Sequence, residues 1–289
     1  MSILKDIKFN YRIGGLAEKL IYLNVGIFII SVAIFCDFKT REFYYPHWLS
    51  LSSNPSEVLL YPWTLLTYAF LHGSFWHLLF NMMVLNFSSQ LFLTYFNDKQ
   101  FLGLYLLSAI FAGGVFIVGF YVLHYDPLPM VGASGAIMAV LVAATTYSPM
   151  RYVRLLLIGN VKLWHITTVI LLLDLIQMRL ENPGGHIAHL GGAFFGFTYI
   201  KLLQNGFDIS QVVTRIIVFF VNIFKPEKKT PFKKVYRNYK KPIAKKTASK
   251  IIAKDKTQQQ TDEILDKISQ SGYDSLTKEE KEFLFKAGK

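Results

Sequence analysis

The sequence predicts an all-α, polytopic membrane protein with six spanning helices and both termini in the cytoplasm. Three observations carry this prediction. Of 289 residues, 52% are hydrophobic and only 17% are charged, against about a quarter charged in ordinary soluble domains. Six apolar runs approach the roughly 20 residues that a bilayer crossing requires. The positive charges fall almost entirely on one side of those runs. A soluble core does not line up so many long apolar runs, and a disordered chain has too little apolar content to match this one.

The runs are 20–36, 74–96, 101–123, 132–148, 163–180 and 186–204. The third, FLGLYLLSAIFAGGVFIVGFYVL, contains no charge. The fourth is short and rich in small residues, which suits a helix buried among others rather than one facing lipid. Lys5, Lys8, Arg12 and Lys19 precede the first run and no small-residue cleavage site follows Cys36, so the run is expected to stay rather than be removed as a signal. With the N-terminus inside, the inner segments hold 28 Lys and Arg against Lys39, Arg41 and Arg179 outside. Leaving out everything after 224, the ratio is still 10 to 3. The positive-inside rule therefore sets the orientation. The long outer loop at 37–73, carrying Trp48, Tyr61 and Trp63, is expected in the membrane interface.

The formal charge of +12 is uneven: +3 over 1–224, +11 over 225–256 and −2 over 257–289. The organisation that follows is a cytoplasmic N-terminal segment (1–18), a six-helix domain (19–205), an interfacial amphipathic segment (206–224), a basic linker (225–256) and a small helical end piece (257–289). Segment 210–224 contains Arg215 and is too short for a seventh span, which would also put the basic linker outside. A polybasic run just inside a membrane is expected to contact anionic lipid head groups rather than nucleic acid. The lone Cys36 excludes a disulfide within the chain and a Cys-based zinc site.

Spans two, four and six all enter from the outer side, and polar residues collect near their starts. His77 and Asn81 share a helix face in span two. Ser134 lies in Gly132-Ala133-Ser134-Gly135, and His186 and His189 open span six. Polar side chains within a membrane are costly and usually functional. A serine hydroxyl becomes a nucleophile when a base takes its proton, and histidine does this near neutral pH. No carboxylate stands at matching depth in spans two, four or six, so the residues predict a Ser–His dyad rather than a triad. The Ser134 N–H with the His77 and Asn81 side chains would stabilise an oxyanion. Gly192 and Gly196 on span six, and Ala136, Ala139 and Ala143 on span four, let the two backbones approach.

The segments Leu71-His72-Gly73-Ser74-Phe75-Trp76-His77-Leu78-Leu79-Phe80-Asn81, Gly132-Ala133-Ser134-Gly135-Ala136 and Ala188-His189-Leu190-Gly191-Gly192 resemble, in order, the three signature motifs of the rhomboid intramembrane serine proteases. The resemblance covers roughly 15–205. It implies a six-transmembrane-helix rhomboid fold with Ser134 as nucleophile, His189 as general base and His77 and Asn81 at the oxyanion. Gly132 and Gly135 flank the nucleophile, and Met138 matches the position that packs beside the catalytic histidine. It implies no metal and no organic cofactor, transmembrane segments of other proteins as substrates, and a multi-pass place in the cell (inner) membrane with the site opening to the extracytoplasmic side. This chain departs from many relatives at Thr64, where they carry Arg after Trp63, and at Ser89, Leu93 and Asn97, where they carry a Gly-x-x-x-Glu-x-x-x-Gly run. His186 replaces a smaller polar residue. The loop packing is therefore expected to be held differently.

The end piece resembles a short helical tail found on some bacterial rhomboids, with Asp262 to Ile268 and Gly272 to Lys281 carrying the likeness. Two short helices joined at Ser271-Gly272 are predicted, the second beginning at Ser275 with Leu276, Phe283, Leu284 and Phe285 on its apolar side. Three other readings bear on the site. His72, His77, His186 and His189 would suit a metal, but no H-E-x-x-H motif and no nearby carboxylate ligand accompany them. Asp174, an acid inside span five, is a functional candidate by its position alone, and His72 is expected to organise the loop. The alternative to proteolysis is a catalytically silent rhomboid-like scaffold or chaperone.

Overall fold

The computed structural model describes residues 9, 11–155, 158–178, 182–224 and 248–287. They form two compact units, one within Met1–Pro226 and one within Glu227–Lys289. The first unit is almost wholly helical. Its main helices are α1 (Leu16–Phe35), α2 (Pro55–Leu60), α3 (Thr64–Thr67), α4 (Phe75–Leu93), α5 (Asp98–Val122), α6 (Ser134–Tyr147), α7 (Leu163–Gln177), α8 (Pro183–Gln204) and α9 (Gln211–Phe224). Helices occupy each of the six apolar runs. Among the described residues, only α1 and α5 are both long and apolar enough to cross a membrane by length and composition, so the six spans expected are not all shown. The reason is clearest at α6. Its 14 residues rise about 21 Å, short of a hydrocarbon core of roughly 30 Å.

The α6 helix is instead the packing centre. Gly135 to Thr145 are all buried, and α4, α5, α7 and α8 pack around them. The approach of α8 is set by glycine. A Cβ at Gly192 would land on the Gly135 carbonyl oxygen, and one at Gly196 on the Ala139 carbonyl oxygen. A β-carbon on Gly135 would meet the Ala112 Cβ at 2.9 Å and the Ala188 oxygen at 3.3 Å. The small-residue stripe read from the sequence is thus a backbone-to-backbone contact. Thr145 on α6 and Thr167 on α7 share a hydroxyl–hydroxyl hydrogen bond of 2.7 Å. Large apolar side chains remain exposed outside this core, among them Ile30 and Ile34 on α1, Phe80 and Met83 on α4, Val118 on α5 and Leu172 on α7. A surface this apolar suits lipid and not water.

Two small antiparallel pairs interrupt the all-helical expectation. Strand β1 (Leu51–Ser52) pairs with β2 (Pro129–Met130), and β3 (Tyr152–Leu155) pairs with β4 (Gly159–Lys162) between α6 and α7. The first pair ties the 37–73 loop to the approach to Ser134. That loop carries α2, α3 and a 3-10 turn at Tyr68–Phe70. At the position where the resemblance led an Arg to be expected, Thr64 donates its hydroxyl to the Tyr61 carbonyl at 2.7 Å. The Trp63 indole donates to the Trp48 carbonyl at 2.7 Å, and Thr67 donates to Leu49 at 2.8 Å. At the far end of α4, Ser89 bonds within its own helix, and Asn97 caps α5 with a reciprocal Gln100 bond.

The second unit consists of α10 (Ala248–Ser271), a 3-10 turn at Tyr273–Ser275 and α11 (Lys278–Ala287). The junction at Gly272 adopts φ +77°, which favours glycine. Two details correct the sequence reading. The second helix is started by Thr277, not Ser275. The Thr277 hydroxyl accepts from the Glu280 N–H, and the Glu280 carboxylate accepts from the Thr277 N–H at 2.8 Å, a reciprocal capping box. On the expected apolar side Leu276 is buried, as is Ile264 of α10, and Phe283 and Leu284 are half-buried, whereas Phe285 is 77% exposed. The helix also begins at Ala248, inside the basic run; residues 225–247 lie outside the described residues.

Candidate active site

The site is assembled from the N-terminal ends of three helices and the C-terminal end of a fourth. Ser134 is the first residue of α6, following Gly132, whose φ of +137° lies in the region reserved for glycine. The Gly132 N–H donates to the Tyr68 carbonyl at 2.9 Å, and a Cβ there would meet the His77 ring at 2.9 Å. The turn can therefore close over His77 only without a side chain. N–H groups in a first helical turn have no partner within the helix and are available to an anion.

His77 lies in the first turn of α4, capped by the Ser74 hydroxyl, which accepts from the His77 N–H at 3.1 Å. The Gly73 N–H donates to His77 Nδ1 at 3.4 Å. With Nδ1 as acceptor, the ring proton sits on Nε2, which faces the glycine turn. One turn on, Asn81 is buried and its Nδ2 has no partner among the described residues. An unsatisfied buried donor costs about 1–3 kcal/mol. His72 is buried beside His77 with ring centroids 5.1 Å apart, and its carbonyl accepts from the Tyr45 hydroxyl at 2.9 Å. It thus joins the loop to α4.

On α8, Asn182 adopts φ 46° and accepts from the Gly185 N–H at 3.2 Å, with Pro183 in the first turn. This start places His186 and His189 on the face toward α7. Ser134, His189, His77, Asn81, Gly132 and Gly135 line one cleft of about 550 Å³. Met138 is buried in α6 without lining the cleft, and Gly192 and Gly196 stand at the α6 contact described above. The structure therefore brings Ser134, His189, His77 and Asn81, the four residues singled out in the sequence, to one cleft.

One residue was not placed there. Asp174, in the last turn of α7, accepts hydrogen bonds on a single oxygen, Oδ1, from His189 Nδ1 at 2.8 Å and His186 Nδ1 at 2.7 Å. Two sequence expectations change. The serine–histidine pair is not without a carboxylate, and the histidines do have a nearby acidic neighbour. The carboxylate does not come from α4, α6 or α8, the helices that carry the other site residues. Helix α7 runs the other way, so its final turn reaches the level of the first turns of α8. The signal was present, since an acid inside an apolar helix marks function.

Asp174, His186 and His189 also offer three potential metal-ligand atoms within 4.8 Å of one another. A tetrahedral zinc with nitrogen and oxygen ligands near 2.0–2.1 Å would hold its donors about 3.3 Å apart. The 2.7 and 2.8 Å contacts are shorter than this and fit hydrogen bonds.

Comparison with known proteins follows this geometry. Residues 60–205 match the Rhomboid domain model, and residues 252–286 match a family of unknown function, DUF6576. The chain is 33% identical over 186 residues to the presenilin-associated rhomboid-like mitochondrial proteins of Homo sapiens and Pongo abelii, covering 61% of this chain and 46% of each relative. A Danio rerio protein of the same description, form A, is 30% identical over 179 residues, covering 61% of this chain and 46% of its own. The chain thus spans about half the length of these relatives. The domain match extends over half of the 289 residues and takes in α4 to α8 with the whole cleft, and the chain belongs to the rhomboid family.

Proposed function

We propose that this protein is an intramembrane serine endopeptidase that cleaves transmembrane segments of other membrane proteins. The observation that carries the reading is the convergence of Ser134, His189 and the donors of His77 and Asn81 on one cleft. His189 removes the Ser134 proton through Nε2. The Ser134 oxygen attacks the scissile carbonyl carbon, and the resulting oxyanion accepts from the Ser134 N–H, His77 Nε2–H and Asn81 Nδ2–H. The unpartnered Asn81 donor supports this role, because a developing negative charge is the partner it lacks. His189 returns the proton to the leaving amine, which departs. Water then hydrolyses the acyl-enzyme, with His189 again taking a proton.

Six helices cross or enter the membrane in this reading, with both termini cytoplasmic and the cleft open to water on the extracytoplasmic side. The membrane is the cell (inner) membrane; the names of the curated relatives give those proteins a mitochondrial address. The basic linker binds anionic lipid, and neither metal nor organic cofactor takes part. A hydrogen-bonded helix hides its carbonyls, so the substrate must unwind at the cut. Small residues at the cut, with Gly or Pro nearby, are favoured.

The second reading is a silent rhomboid-like scaffold or chaperone. What favours it is that the relatives' names attach "rhomboid-like" and presenilin association to those proteins, not a reaction. Cleavage of a panel of reconstituted transmembrane substrates decides between the two. Protease activity lost in Ser134→Ala and unaffected by chelator supports the first. Stable substrate binding without any cleavage by well-folded wild type supports the second. Equal cleavage of uniformly helical segments would remove the unwinding requirement.

A further inference from the structure

We infer that Asp174 is a positioning residue that fixes His189 in the tautomer a general base needs. The carboxylate is nearly buried, with 6% of the residue exposed. A buried carboxylate is strongly disfavoured unless donors surround it. An ionised carboxylate accepts only, so each imidazole bonded to Oδ1 does so as the Nδ1–H donor. Among the described residues Oδ2 has no partner, so the two rings are the bonds that hold this acid.

For His189 the consequence is chemical. With the proton on Nδ1, the lone pair sits on Nε2, across the ring and free to take the Ser134 proton. The opposite tautomer would present an N–H to a hydroxyl and could not act as base. His186 engages the same oxygen and has the same tautomer imposed on it, but it does not line the cleft, whereas His189 does. The groups that face His189 are Asp174 from α7, His186 on its own helix, His77 from α4 and Ser134 from α6. From α5 the cleft receives Phe116 and Phe120, which carry no charge. Asp174 is therefore the one carboxylate among the described residues placed to orient this ring.

The effect on rate rests on the proteolytic reading; the effect on the tautomer does not. The test combines both on the full chain in detergent micelles. Nitrogen-15 NMR of histidine-labelled protein, with His189 identified by the signal missing in His189→Asn, reads the tautomer. The rate of fluorophosphonate labelling reads the activated serine. Wild type is expected to show Nδ1 protonated and Nε2 bare. In Asp174→Asn that single tautomer is expected to be lost, with labelling slower by on the order of 10²–10⁴ and little change in melting temperature. Asp174→Glu, which restores the carboxylate, is expected to recover the tautomer and part of the rate.

An unchanged His189 tautomer in Asp174→Asn, or labelling within about threefold of wild type, overturns the inference. So does a His189 spectrum that shifts when chelator is added, since a cation would then be holding the ring. If wild type fails to label at all, the proteolytic reading falls, and the tautomer of His189 with and without the carboxylate still decides the role of Asp174.

Discussion

Asn81 carries the clearest mark of a site awaiting a ligand, because it lines the same cleft as Ser134 and its buried Nδ2 has no partner among the described residues. Its truncation is therefore expected to act on the transition state. Asn81→Ala should lower kcat by about 10²-fold with KM nearly unchanged, the usual cost of removing one oxyanion donor, and steady-state kinetics on a reconstituted substrate checks it. Ser134, His189, His77 and Asn81 were legible in the sequence because polar residues stand out in apolar runs and helical spacing fixes their relative depth. Asp174 was equally visible as an acid in span five. Its bond to His189 was not, because it depends on two helices of opposite direction meeting end to start, which no spacing within one helix reveals. The proton position on His77 was likewise hidden, since the Gly73 N–H that sets it belongs to a turn.

At the scale of elements, the α6–α8 contact determines whether the cleft forms at all. A Cβ at Gly192 or Gly196 would collide with backbone carbonyls that cannot rotate away. Gly192→Ala is expected to lower the melting temperature in micelles sharply or to abolish folding. Gly114→Ala in α5, where a Cβ meets nothing within 4 Å and the helix propensity improves, is expected to be neutral or slightly stabilising. A similar effect of the two changes would contradict the packing account. The two glycines were readable as a small-residue stripe, but their register against Gly135 and Ala139 was not, because only the assembled helices show which carbonyl each one meets.

The tail offers a pH-dependent element. Lys267 donates to Glu280 at 2.8 Å and holds that carboxyl below the usual carboxylate range, and the Thr277 N–H adds to the effect. A folded-state value depressed in this way stabilises the helix pair above the unfolded value, and that stability is lost as pH falls through the folded value. Amide exchange in α11 of the full chain is expected to quicken as the solution is acidified through this range. In Glu280→Gln that component of the pH dependence should be absent. The helix starts at Thr277 rather than Ser275, and the sequence carries the signal, since Thr277-x-x-Glu280 has the capping-box spacing and Ser275-x-x-Lys278 does not.

For the whole molecule, the first unit, with exposed apolar side chains around a core centred on α6, has the surface of a membrane protein. Composition and charge made this legible before any coordinate. The small-residue composition of the fourth run also marked a helix buried among the others, whereas its place as the packing centre of the fold was not legible, because it depends on which helices assemble around it. On the proposed reading, the basic run 225–256 acts as a surface-binding element. Its capture by vesicles is expected to rise with anionic lipid content and to fall with salt, at about 1 kcal/mol per Lys or Arg near the surface. Vesicle sedimentation of the full chain beside a linker charge-neutralised variant checks this.

The central claim is that the cleft holds a serine activated by His189, and fluorophosphonate labelling of the solubilised full-length protein tests it most directly. Wild type, Ser134→Ala and His189→Ala are compared with and without chelator. The account predicts covalent labelling of wild type alone, at Ser134, indifferent to chelator. A folded wild type that takes up no label, or label that persists in Ser134→Ala, would contradict it.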